Sequence, residues 1–159
     1  MVAVDVAEAL AAHSNSRHSA NYIYRTARRS GRALSRPLPD LALRGIEEFN
    51  RGRFFECHEY LEDAWREESG RIRYLYQGIL QVGVGFYHQQ NGNWKGATGL
   101  LRNGIARLEE FEPETSGIDV TGLRRASERC LAELETLGRE KVSEFDRSLI
   151  PTVGRVSRR

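Results

Sequence analysis

Cysteine is nearly missing from this chain of 159 residues: it has two, Cys57 and Cys130, far apart in sequence. They make neither a CxxC metal pair nor a disulfide framework, so the plain expectation is a reduced, cytoplasmic protein. Long hydrophobic runs are missing too. Every apolar stretch is broken by Arg, Gln, Glu or His before it reaches the roughly 18 residues a membrane span needs, so no membrane segment is expected. No basic start leads into an apolar stretch with a small-residue cleavage site, which speaks against a secretory signal. Strand signals are weak throughout. What remains, 40% hydrophobic and 29% charged residues, is the composition of one ordinary globular domain.

Charge is spread unevenly. Residues 1–39 carry six Arg against only Asp5 and Glu8, and from His13 to Arg36 there is no acid at all. The tail 150–159 adds Arg155, Arg158 and Arg159, whereas the body 40–149 has 15 basic and 20 acidic residues. The expected division is therefore a basic N-terminal extension over 1–39, a helical domain over 40–149 and a basic tail over 150–159. An acidic body argues against a nucleic-acid-binding domain, because a basic face is the footprint of such domains. The Ser- and Arg-rich arm is the only hint of a nucleic-acid partner. Its composition also bears a faint likeness to an organellar transit segment, and the plainer alternative is an extension in which Val6, Leu10, Tyr22, Ile23 and Tyr24 pack opportunistically.

The body reads as stacked helices. Pro39-Asp40 starts a first helix with Leu41, Leu43, Ile46 and Phe49 at roughly helical spacing, closed at Asn50-Arg51-Gly52. A second, about 53–68, places Phe54, Phe55, His58, Leu61, Glu62 and Trp65 on one face. A third, about 71–90, is apolar nearly all round, as the centre of a bundle is. Gly78, Gly83 and Gly85 within it each cost about 1 kcal/mol of helix propensity relative to Ala, which implies close approach of neighbouring backbones. A fourth runs from about Trp94 to Phe111 and a fifth from about 119 to 138, closing at Gly138. The predicted fold is all-α, a compact bundle of about five helices. Gly52-Arg53-Phe54 and Gly92-Asn93-Trp94 recur at a spacing that suggests tetratricopeptide-like helical hairpins.

One polar cluster falls on apolar faces. His58 and Glu62 project from the same side of the second helix, one turn apart. An unpaired buried carboxylate costs several kcal/mol, so Glu62 requires a partner, a proton or a metal. On the third helix Gln77, Gln81 and His88 form a second polar line, and the two lines could meet in one pocket, with Gly78 and Gly85 letting the partner helix come close.

The segment from Phe49 through His58, Glu62 and Trp65, with its HxxxExxW pattern, resembles the signature of the domain-of-unknown-function 309 family. The continuation through Gln77-Gly78-Ile79-Leu80-Gln81, His88 and Gly92-Asn93-Trp94-Lys95-Gly96-Ala97 is similar as well, so the resemblance covers about 40–112. It implies a small helical domain from bacteria or archaea and a suspected metal-binding role for the motif, and no established activity.

In a metal reading, His58 and Glu62 are the first two ligands. His58-Glu59-Tyr60-Leu61-Glu62 keeps the spacing of the HExxH zinc motif, with Glu in place of the second His and Glu59 at the position of the general base. His88 is the candidate third ligand and Gln81 an alternative oxygen donor. Mixed nitrogen and oxygen donors suit a divalent zinc, manganese or iron ion. Two other readings stand beside it. The cluster could form a pocket for a small polar molecule, with Glu59, Trp65, Gln77 and Gln81 as binding residues. Or it could be a hydrogen-bonded network covered by Trp65 that only sets helix register. In that case the chain is a non-catalytic interaction module or a self-associating homo-oligomer. No complete set of nucleophile, base and oxyanion donors is present, so no enzymatic activity is assigned.

Overall fold

Pro39 ends an extended lead-in, and the chain turns helical at Asp40, whose carboxylate sits in the first turn and pairs with Arg44. The computed structural model describes residues 37–156. Five α-helices follow one another in this part: α1 (Asp40–Asn50), α2 (Phe54–Glu67), α3 (Arg73–Gln90), α4 (Trp94–Leu108) and α5 (Val120–Leu137). Consecutive helices pack on each other, α3 and α4 most extensively, and the bundle is all-α as expected. The arm expected over 1–39 lies outside the described residues but for its last three positions.

The inward face of α1 differs from the expected one. Ala42, Gly45, Ile46 and Phe49 are buried, whereas Leu43 is 43% exposed. Positions 42, 45, 46 and 49 obey the i, i+3, i+4, i+7 rule, and 41 and 43 fall off it. Small residues carry part of the stripe because Leu61 of α2 lies against Gly45.

The turns after α1 and α3 are built alike. Gly52 and Gly92 hold φ of +77° and +74°. Each glycine N–H bonds the carbonyl three residues back, on Phe49 at 2.9 Å and on Gln89 at 3.1 Å. The N–H that follows reaches five back, to Glu48 at 2.9 Å and His88 at 2.8 Å. This is the Schellman pattern, which satisfies the last carbonyls of a helix and needs a left-handed residue. The faint sequence repeat is thus a repeat of two helix-ending turns.

α3 is the centre: from Tyr74 to Gln89 only Tyr87 escapes burial. Its glycines admit neighbours, though not in the expected way. Gly78 and Gly85 face α4, where Arg107, Leu108 and Leu101 lie on them, and Gly83 faces Phe49 and Cys57. Close approach therefore serves the α3–α4 contact more than the α2–α3 contact.

After α4 the helical path tightens into a 3₁₀ turn (Glu109–Phe111), where the sequence suggested α-helix. Two short antiparallel strands, β1 (Glu114–Thr115) and β2 (Ile118–Asp119), then form a hairpin that the sequence reading did not foresee. Ser116 and Gly117 both take positive φ, the conformation a two-residue hairpin loop requires. Residues 150–156 return to this hairpin: the Asp119 N–H donates to the Gly154 carbonyl at 2.9 Å, and the Val156 N–H to that of Gly117 at 2.7 Å. Asn50, the last residue of α1, holds the same segment by accepting from the Val153 N–H at 2.7 Å and donating to the Val153 carbonyl at 3.2 Å.

Candidate functional site

α2 and α3 run antiparallel, and two ring contacts fix their register. Trp65 meets Tyr74 edge to face at 5.2 Å, and towards the other end Phe54 meets Phe86 at 5.6 Å. Between those contacts, His58 stands at the level of Gln81 and Glu62 at the level of Gln77. Counted along the helices, the two polar lines expected from the sequence thus occupy the same stretch of the α2–α3 pair. His58, Glu62, Gln77 and Gln81 are all buried.

Glu62 finds its partners on its own helix. His58 Nε2 stands 3.0 Å from Oε2, and Arg66 donates to Oε1 from one turn further on. Arg66 was not among the expected site residues, although its i+4 spacing from Glu62 is a readable signal. Its side chain is 65% exposed while that of Glu62 is 12% exposed, so Arg66 reaches in from the rim.

The glutamines differ. Gln77 is 3% exposed, and among the described residues neither its amide nitrogen nor its oxygen has a hydrogen-bond partner. Gln81 Oε1 is likewise unpaired. Gln89, also buried, donates to the Val142 carbonyl at 3.1 Å, while its own Oε1 is unpaired among the described residues. A buried polar group without a partner costs about 1–3 kcal/mol, and most native examples have an explanation in a water, an ion or a ligand.

His88 does not join His58 and Glu62. It lies seven residues beyond Gln81, about 10 Å along the helix axis. Its Nδ1 faces the Asn93 side-chain amide at 3.2 Å. The Asn93 Oδ1 accepts from the Gly96 N–H, so the amide nitrogen is turned to His88 and Nδ1 is the acceptor. Burial pushes the His88 pKa below its ordinary value, consistent with a neutral ring. Among the described residues no three His, Cys, Asp or Glu side chains converge to hold a metal ion. The i+11 step from Gln77 to His88 keeps the helix face but not the depth, which sets His88 apart from His58 and Glu62 along the helix. Glu59 is exposed, turned away from the buried face of α2.

Trp65 is 8% exposed and lies under the Arg73 guanidinium, 3.9 Å from the ring centre. Arg107 of α4 stands 5.1 Å from the centre of the Tyr74 ring. Neither arginine was foreseen as part of the site, since a helix-to-helix contact of this kind has no local sequence mark. Cys57, beside His58, is buried, and burial pushes its thiol far up, so it is no nucleophile at neutral pH. A groove of about 240 Å³ between α4 and α5, lined by Arg102, Ile105, Glu109, Glu128, Leu131 and Glu135, contains none of the polar cluster.

Residues 42–100 match the family model described as "Domain of unknown function (DUF309)". The match takes in His58, Glu62, Trp65, Gln77, Gln81 and His88, and it bears out the resemblance carried by the HxxxExxW pattern. The chain is also 35% identical over 91 residues to the "Uncharacterized protein YpuF" of Bacillus subtilis (strain 168), over 55% of this chain and 52% of that protein. The chain spans about half the length of that curated relative.

Proposed function

We propose that this DUF309 domain binds a small polar molecule where α2 and α3 meet, without catalysing a reaction on it. The observation that carries the reading is Gln77, a residue 3% exposed whose side-chain amide has neither end bonded among the described residues, at the helix level of Glu62. One turn on, the Gln81 Oε1 is buried and unpaired as well. A ligand that offers a donor and an acceptor there would recover the hydrogen bonds the bundle leaves unmade.

The donor set fits a metal ion less well. Each Glu62 oxygen already has a partner, His58 or Arg66, and the Arg66 guanidinium beside the carboxylate offsets the charge that would hold a cation. No third His, Cys, Asp or Glu of the described residues joins the pair. A pure interaction module calls for a satisfied interior and a broad apolar surface. The glutamines break the first condition. As to the second, the exposed large hydrophobic residues of the described part are Leu43, Leu149 and Val156, on separate elements.

The test compares purified parent, expressed without a His tag, with Gln77→Leu. Each is denatured, and the small molecules and metals released are measured. The parent is expected to release a compound that the variant lacks, and the ligand-free variant to gain about 1–2 kcal/mol in urea because its unpaired amide is gone. Identical release from both, with Gln77→Leu less stable, would overturn the reading. Near-stoichiometric metal in the parent, lost in Glu62→Gln, would replace it with a metal site.

A further inference from the structure

We infer that the bound molecule is an organic anion whose acid group, carboxylate or phosphate, is held by Arg73 and Arg107; this rests on the polar-ligand reading above. These arginines differ from others of the described part. Arg51, Arg66, Arg102 and Arg124 each meet a carboxylate. Arg73 and Arg107 are half-buried, meet no carboxylate of the described residues, and lie on aromatic rings instead. The rings they cover, Trp65 and Tyr74, touch edge to face at 5.2 Å, so the two guanidinium groups flank one aromatic pair. A guanidinium lying on a ring gives up a face and keeps its N–H edge, the edge that forks onto a carboxylate or phosphate. Arg73 Nε is buried with no acceptor among the described residues, and a charged donor left unpaired is costly.

Position ties the arginines to the unpaired amides. Gln77 follows Arg73 by four residues and Tyr74 by three, so all three share a face of α3. The stem of Arg107 crosses α3 at Gly78, where a β-carbon would meet its Cγ at 3.2 Å and its Cβ at 3.3 Å. This seats Arg107 beside Gln77. Arg73 also opens α3, whose first turn holds no acidic residue and has no side-chain cap, so the positive end of the helix dipole adds to the field. An anion there would be gripped by cations at one end of the stripe and read by the Gln77 and Gln81 amides along it.

The experiment is calorimetric titration of the full chain with inorganic phosphate and, separately, with citrate, at low ionic strength and with chloride as the control. Saturable binding of one of the two is expected, and which one binds names the acid group. Arg73→Gln and Arg107→Gln should each weaken it at least tenfold. Arg129→Gln, an exposed position on α5, should leave it unchanged. Arg73→Lys, which keeps the charge, should bind better than Arg73→Gln at matched thermal stability; equal loss in both would show a packing role and overturn the charge argument. No saturable binding to the parent, or the same loss in all three glutamine variants, would also overturn the proposal. Release of a neutral compound from the parent, lost in Gln77→Leu, would overturn the anion while sparing the polar-ligand reading. Arginine-dependent binding undiminished in Gln77→Leu would separate the two features and overturn the single site.

Discussion

Glu62 is bracketed on its own helix, by His58 one turn before it and Arg66 one turn after it. The two partners are not equal. His58 is buried beside the carboxylate, whereas Arg66 spends most of its surface in water, where ion pairs contribute little. Glu62→Gln should therefore lower stability in urea by about 1–3 kcal/mol, and Arg66→Ala by less than about 1 kcal/mol. Equal losses would mean that Arg66, not His58, compensates the burial. His88 makes a prediction in pH. Its pKa lies below 6.5 in the folded chain because of burial, and its Nδ1 must stay unprotonated to accept from Asn93. The unfolded chain titrates at about 6.5. As the pH falls below that value, the unfolded state takes up the proton first, so stability is complete above about pH 6.5 and declines towards the lower folded pKa. Urea melts between pH 7.5 and 5 should show the decline, and His88→Gln should flatten it. A folded-state NMR midpoint at or above 6.5 would refute the assignment.

At the scale of the element, the contact of α3 with α4 depends on backbone proximity. A β-carbon on Gly104 would come within 2.9 Å of the Gly78 carbonyl oxygen and 3.0 Å of the Val82 nitrogen, neither of which can swing aside. Gly104→Ala should cost about 1–3 kcal/mol, as overpacking does. Gly99, on the same helix, has nothing within 4 Å of that position, and Gly99→Ala should gain about 0.5–1 kcal/mol from helix propensity alone. Thermal melts of the two variants should move in opposite directions. The helices themselves were legible in the sequence because Gly52, Asn91-Gly92 and Gly138 punctuate strong 3.6-residue periodicity. The face of α1 was legible only in part, since size drew attention to Leu43 while Ala42 and Gly45 carry the stripe. The hairpin at 114–119 was hidden by its brevity: two residues per strand leave no alternation to read. In the site, spacing along one helix revealed His58 with Glu62 and Gln77 with Gln81. Depth across helices, which separates His88 and brings in Arg107, is set by packing register and leaves no mark in a single stretch of sequence.

For the molecule as a whole, α1 is joined to residues 150–156 by one side chain. Asn50 offers its amide to Val153 as a neighbouring strand would, donating and accepting at once, and Val153 is buried at 2% exposure. Asn50→Ala leaves both backbone groups of Val153 without that partner, and about 1–3 kcal/mol should be lost. Hydrogen exchange should show the effect in the Asp119 and Val156 amides, which bond the same segment, before it reaches α3. Simultaneous loss of protection in α3 would mean that the segment is integral to the core.

The tie between Asn50 and Val153 also orders events in time. The helices pack in sequence, each on the one before, so the bundle can grow as the chain leaves the ribosome. Asn50 must wait: its partner lies 103 positions downstream. At about 5–20 residues per second of synthesis, the end of α1 spends several seconds with its amide turned to water. This contact, at 103 positions the longest-range hydrogen bond among the described residues, is of the kind that is slow to find. Its closure follows the packing of the helices, and its formation marks a chain whose translation has already passed residue 153.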